Sequence, residues 1–76
     1  MQAWQKRCKL TPEQVESKTV PTWANSMVEN WRRLLDLFPR EQWSDWEIFE
    51  AIESTEVYLF EEDDQVEIMK DALAVP

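Results

Sequence analysis

The sequence predicts an all-α protein, a small helical bundle of three to four helices. Three observations carry that reading. Residues 22–38 hold one broad apolar stripe of helical period. Two helix starts, Thr11-Pro-Glu-Gln14 and Ser44-Asp-Trp-Glu47, follow the capping-box pattern, in which the cap hydroxyl and the side chain three residues on satisfy one another's backbone N–H groups. Glycine is absent from all 76 residues, and tight hairpins and left-handed turns ordinarily rely on it.

Taken in order, residues 1–10 support at most one or two helical turns, from Trp4 and Cys8 at i, i+4, and are expected to fray. Thr11 then caps a short helix over 12–18, with Pro12 at its first position. Val20-Pro21 forces an extended entry to the next element. In the helix at 22–38, taken as central, Thr22 is the expected cap and Met27, Trp31, Leu34 and Phe38 fall at i, i+4, i+7 and i+11. Trp23, Ala24, Val28 and Leu35 widen this stripe. Pro39 ends it.

A further helix starts after Ser44, with Trp43 placed to pack on Ile48 as a hydrophobic staple. It runs through Trp46, Ile48, Phe49, Ala51 and Ile52 to Glu53. Val57-Tyr58-Leu59-Phe60 has no period and suits a buried helical turn or a strand. A short β-hairpin at 57–69 is the minority reading. The preferred one caps a last helix with Asp64 and turns Val66, Met69, Ala72 and Leu73 inward. The helices from 45 and from 65 are expected on the stripe of the helix at 22–38.

Seventy-six residues make a single domain, 1–76. A chain of this size hides only about 60% of its unfolded surface, so its five Trp, three Phe and one Tyr are read first as core. No apolar run approaches the ~20 residues of a membrane span. The first residues lack the apolar stretch of a signal peptide. Cys8 is alone, which fits a reducing, cytoplasmic setting. Lys6, Arg7 and Lys9 favour its thiolate, but with no histidine the chain has no Cys–His pair.

The missing histidine also excludes a Ser-His-Asp triad and His-ligated zinc. Glu50 and Glu53 share the spacing of an acid–base pair, yet so short a helical domain has little room for a water-excluding pocket of several hundred Å³. The expectation is no enzyme and no cofactor. The acidic block lacks the Gly and the alternation of an EF-hand loop.

Charge is the strongest functional signal. Residues 1–40 carry seven bases and four acids, a net +3, whereas 41–76 carry one base and twelve acids, a net −11. Glu47, Glu50, Glu53 and Glu56 recur every third residue, about 4.5 Å of helical rise per step. Glu61, Glu62, Asp63 and Asp64 follow as a block. Phosphates advance about 3.4 Å per nucleotide along one DNA strand, so carboxylates at comparable spacing can occupy a basic groove made for nucleic acid. The ordinary reading of such rows is a solvated face. Against it stands the self-repulsion that so acidic a half imposes on a small fold. Direct nucleic-acid binding is not expected of a net-negative chain.

Short, acidic, glycine-free and free of catalytic motifs, the chain resembles in profile phage-type inhibitors that imitate DNA, including some that block CRISPR complexes. That resemblance implies a protein partner with a basic surface, met by the eight acids at 47, 50, 53, 56 and 61–64. The alternatives are an adaptor or assembly subunit docking through Trp-rich apolar surface, and a homodimer formed through surplus apolar residues of the helix at 22–38.

Overall fold

The computed structural model describes residues 1–37 and 42–73, and within them the chain is all-α. The elements are α1 (Ala3–Arg7), α2 (Pro12–Ser17), a 3-10 turn (Thr22–Ala24), α3 (Asn25–Leu35), α4 (Asp45–Thr55), a second 3-10 turn (Val57–Leu59) and α5 (Glu62–Ala72). Among the described residues five short helices stand where three or four were expected.

Capping chemistry sets two of the starts. The Thr11 hydroxyl accepts the Gln14 N–H at 3.1 Å and the Gln14 side chain accepts the Thr11 N–H at 2.9 Å. Ser44 and Glu47 repeat the exchange at 3.2 and 3.0 Å. The exits are less orthodox. Lys18 (φ 55°) and Glu56 (φ 51°) end α2 and α4 in the left-handed region, and Lys9 (φ 58°) turns the chain after α1. A Cβ costs roughly 1–2 kcal/mol there, so the chain makes left-handed turns without glycine and carries the strain. After α2 the Thr19 N–H closes back on the Gln14 carbonyl at 3.0 Å, a bond that offsets part of it.

The stripe of α3 is rotated from its expected axis. Ala24, Val28, Trp31 and Leu35 are buried, while Met27 and Leu34 are half-buried and Trp23 is 57% exposed. Thr22 does not cap α3. Pro21 leads into the 3-10 turn, and the α-helix proper starts at Asn25 and is capped at its C-terminal end by Asp36. Phe38 and Pro39 lie outside the described residues.

The hub is α4 rather than the helix at 22–38. It packs against α1, α3, α5 and the second 3-10 turn. Its Phe49 is fully buried, with ring centroids 5.6 Å from Trp46, 5.8 Å from Trp4 and 5.9 Å from Trp23. Ile48 and Ile52 are buried beside it, with Met69 coming from α5 and Val57 from the turn. Trp4 and Leu10 bring the N-terminal segment into the same core. The reason is geometric. A helix contacted on several sides is apolar on several sides and shows a weak period, whereas α3, buried on one side, shows a clean one.

The hairpin at 57–69 does not form: Val57–Leu59 is one 3-10 turn and Glu62–Ala72 is helix. Asp64 is not the cap of α5. Glu61 occupies that position, so Glu62, Asp63 and Asp64 fall in the first turn, where negative charge is favoured by the helix dipole. Met69 is buried and Val66 and Leu73 are half-buried, but Ala72 faces solvent.

Candidate protein-binding surface

The four glutamates of the α4 row do not share a face. Three residues fall about 60° short of a full helical turn, so a row at i+3 spacing winds half-way round the helix over three steps. On a hub helix it must enter the core, and Glu53 does. It is 6% exposed. Its carboxylate accepts the Cys8 thiol at 3.2 Å and meets the Arg7 guanidinium at 3.5 Å. Arg7 also donates to the Glu53 carbonyl at 2.6 Å and pairs with Glu56. This cation satisfies a carbonyl left open at the end of α4 and pins α1 to it. Of Glu53 and Glu56, both expected as partner-binding residues, Glu53 is buried and Glu56 is half-exposed, and Arg7 engages both.

At Cys8 the surroundings outweigh the neighbouring charges. Its basic neighbours favour thiolate, yet burial pushes the thiol up to about 11, with the hydrogen bond to Glu53 adding to the effect. It is a donor to a carboxylate and stays protonated at neutral pH.

Glu47 and Glu50 remain exposed. Glu47 closes the capping box, and hydrogen bonds from the Ser44 backbone and hydroxyl hold its carboxyl below the usual carboxylate range. With Glu50, Ser54, Trp43 and Leu73 it lines an open groove of about 340 Å³ between α4 and the end of α5.

The block at 61–64 is different. Glu61, Glu62, Asp63 and Asp64 are all exposed, and among the described residues none of them is in an ion pair. Two of the arginines are engaged elsewhere: Arg7 on α4, and Arg32 on Asp45 at 2.5 Å and on the Trp43 carbonyl at 2.9 Å. Glu67 meets Lys70 at 3.7 Å.

Next to the block lies a feature that the sequence reading missed. Val57 is buried as expected, but Tyr58, Leu59 and Phe60 are 46%, 67% and 48% exposed. A 3-10 turn repeats every three residues. With Val57 inward, Tyr58 and Leu59 are carried to its two outer sides, and Phe60 follows in extended backbone. A run of four apolar residues gives no sequence signal for that split, because it depends on which one the core takes.

Among the described residues, no helix is long and apolar enough to cross a membrane. Comparison with protein-family models, with curated proteins and with solved structures finds no match.

Proposed function

We propose that this chain is a small acidic, non-catalytic protein that binds another protein and covers a basic surface there, in the manner of the phage-type, DNA-imitating inhibitors it resembles, anti-CRISPR proteins among them. The observation that supports this reading is the block Glu61–Asp64, four exposed carboxylates with no cation paired to them among the described residues. Glu47 and Glu50 extend the negative surface. Glu53 and Glu56 leave the proposed contact set because Arg7 holds them. The imitation is then of charge density rather than of a phosphate ladder, since the α4 row winds off its face.

Such a surface acts chiefly by steering. Complementary charge raises the association rate and makes binding fall as salt rises. The test is a competition experiment across purified nucleic-acid-binding proteins, CRISPR effector complexes included, with labelled nucleic acid as the reporter. Displacement that fades with salt, and that is lost when Glu61, Glu62, Asp63 and Asp64 are replaced by their amides, is the expected result. Displacement by the amide variant equal to the parent's overturns the reading.

The adaptor reading is favoured by one observation, the exposure of Trp23 together with Tyr58, Leu59 and Phe60. Docking through aromatic surface alone is insensitive to salt, and that separates the two.

A further inference from the structure

Three consecutive large apolar side chains in water are unusual outside a functional surface. Here the backbone that carries them is fixed. Val57 is fully buried beneath the turn. The Leu59 N–H donates to the Glu56 carbonyl at 2.9 Å and the Phe60 N–H to the Val57 carbonyl at 3.1 Å. The Gln65 side-chain amide donates to the Phe60 carbonyl at 2.7 Å, clipping the turn to the start of α5. A turn held this way loses little further backbone entropy when something docks on it.

We infer that Tyr58, Leu59 and Phe60 form the apolar anchor of a protein–protein interface, and that the surface they fit is an apolar recess rimmed by Lys and Arg on a different protein. This rests on the proposed binding of a basic surface, and it specifies where the anchor lies and what its receptor presents.

Area and charge together select the occupant. At the observed exposures the three side chains offer on the order of 300 Å², taking roughly 150–250 Å² for each large side chain. A stable interface needs about 800 Å² from each partner. The footprint therefore extends beyond the turn, and its immediate neighbours are Glu61, Glu62, Asp63 and Asp64. A receptor that covers both must answer four carboxylates with cations. A second copy of this chain does not: a two-fold contact through the turn places the acidic blocks of both copies side by side, where like charges repel. An anionic membrane surface and nucleic acid are repelled for the same reason.

The experiment uses the full chain and three probes: a short helical peptide with leucines on one face and lysines on the other, polylysine, and the first peptide with glutamates in place of its lysines. Binding is measured by titration and mapped by backbone-amide NMR. The leucine–lysine peptide is expected to shift amides from Tyr58 to Asp64 and to bind at least about tenfold tighter than polylysine. The combined variant Tyr58→Ser, Leu59→Ser, Phe60→Ser is expected to abolish that tenfold gain while still binding polylysine. Should the triple variant fold poorly, Leu59→Lys, at the most exposed of the three positions, is expected to produce the same loss. Polylysine binding with no gain from leucine overturns this inference alone, and binding of neither lysine probe overturns the basic-surface reading with it. Equally tight binding of the glutamate peptide removes the charged rim. Sedimentation showing the parent to dimerise, and the triple variant not to, assigns the turn to a second copy and overturns the inference.

Discussion

The glutamates at 47, 50, 53 and 56, along and just past α4, and the acidic block at the start of α5 are alike in number and charge, and they do different work. Along this row Glu47 closes a capping box, Glu50 stays exposed, Glu53 is buried against Cys8 and the exposed Arg7, and Glu56 holds the other side of Arg7. At the start of α5, Glu61, Glu62, Asp63 and Asp64 face water. The difference lies in their neighbours. α4 is crossed by α1, α3 and α5, so a row winding round it meets another element within a few residues. The acids in the first turn of α5 are exposed and in no ion pair among the described residues, and the helix dipole favours their charge. A carboxylate is available to a partner when no part of its own chain crosses it, and counting acids along a sequence does not reveal that.

The sharpest way to break this comparison is to attack the hub itself. Phe49→Ala should cost about 3–5 kcal/mol as a large-to-small core change, enough to unfold a domain this small. A thermal melt followed by circular dichroism checks it, and a midpoint close to the parent's would mean that α4 is not the hub. Replacing Glu53 tests the claim that one acid of the α4 row is structural. Glu53→Ala should cost about 1–3 kcal/mol, the usual penalty for stripping a buried hydrogen-bonded group. Burial and the bond to Glu53 push the Cys8 thiol up to about 11, so the pH midpoint for labelling it with a thiol reagent should fall in the variant by the part that Glu53 contributes. An unchanged labelling profile would show that Glu53 does not hold the thiol.

Ser44→Ala should cost about 1 kcal/mol, as the loss of an N-cap does, and it carries a pH signature. Glu47 lies below its ordinary value of 4.5 in the folded chain. Its contribution is therefore complete above the unfolded value and disappears as pH falls through the lower folded one. The residue-44 backbone N–H, the larger cause, survives the substitution, so parent and variant should both lose the Glu47 contribution in acid, and the gap between their melts should narrow there only by the smaller part owed to the hydroxyl. The smallest stability effect belongs to the block. Replacing Glu61, Glu62, Asp63 and Asp64 by their amides should change stability by less than about 1 kcal/mol, because the lost dipole interaction is offset by relief of repulsion among exposed neighbours. The same variant should lose association rate toward a basic partner, with the loss largest at low salt. A variant that unfolds would place the block with the α4 row, on the structural side.

Much of the fold could be read without coordinates, because it follows from interactions over three or four residues. The capping boxes at Thr11 and Ser44, the short helix after Pro12, the burial of Trp31 and Met69 and the all-α class are of this kind. The candidate surface was half legible. The block at 61–64 stands out in any reading of charge, and it lies where a local reading places it, in water near a helix start. Glu53 was misplaced although the winding of an i+3 row is itself a local fact. What turns that winding into burial is the crossing of α1, which depends on contacts between Arg7 and residues some fifty positions away.

What the sequence determined by itself is therefore the helical elements, the polarity of their ends and the uneven charge. The tertiary structure decided which helix is the hub, which of four apolar residues at 57–60 is taken inward and which carboxylates are left for a partner. Local hydrogen bonds and backbone sterics act within one turn and are written in neighbouring residues. Burial is a property of the whole packed chain, and in a domain this thin one crossing helix is enough to turn an exposed acid into a structural one.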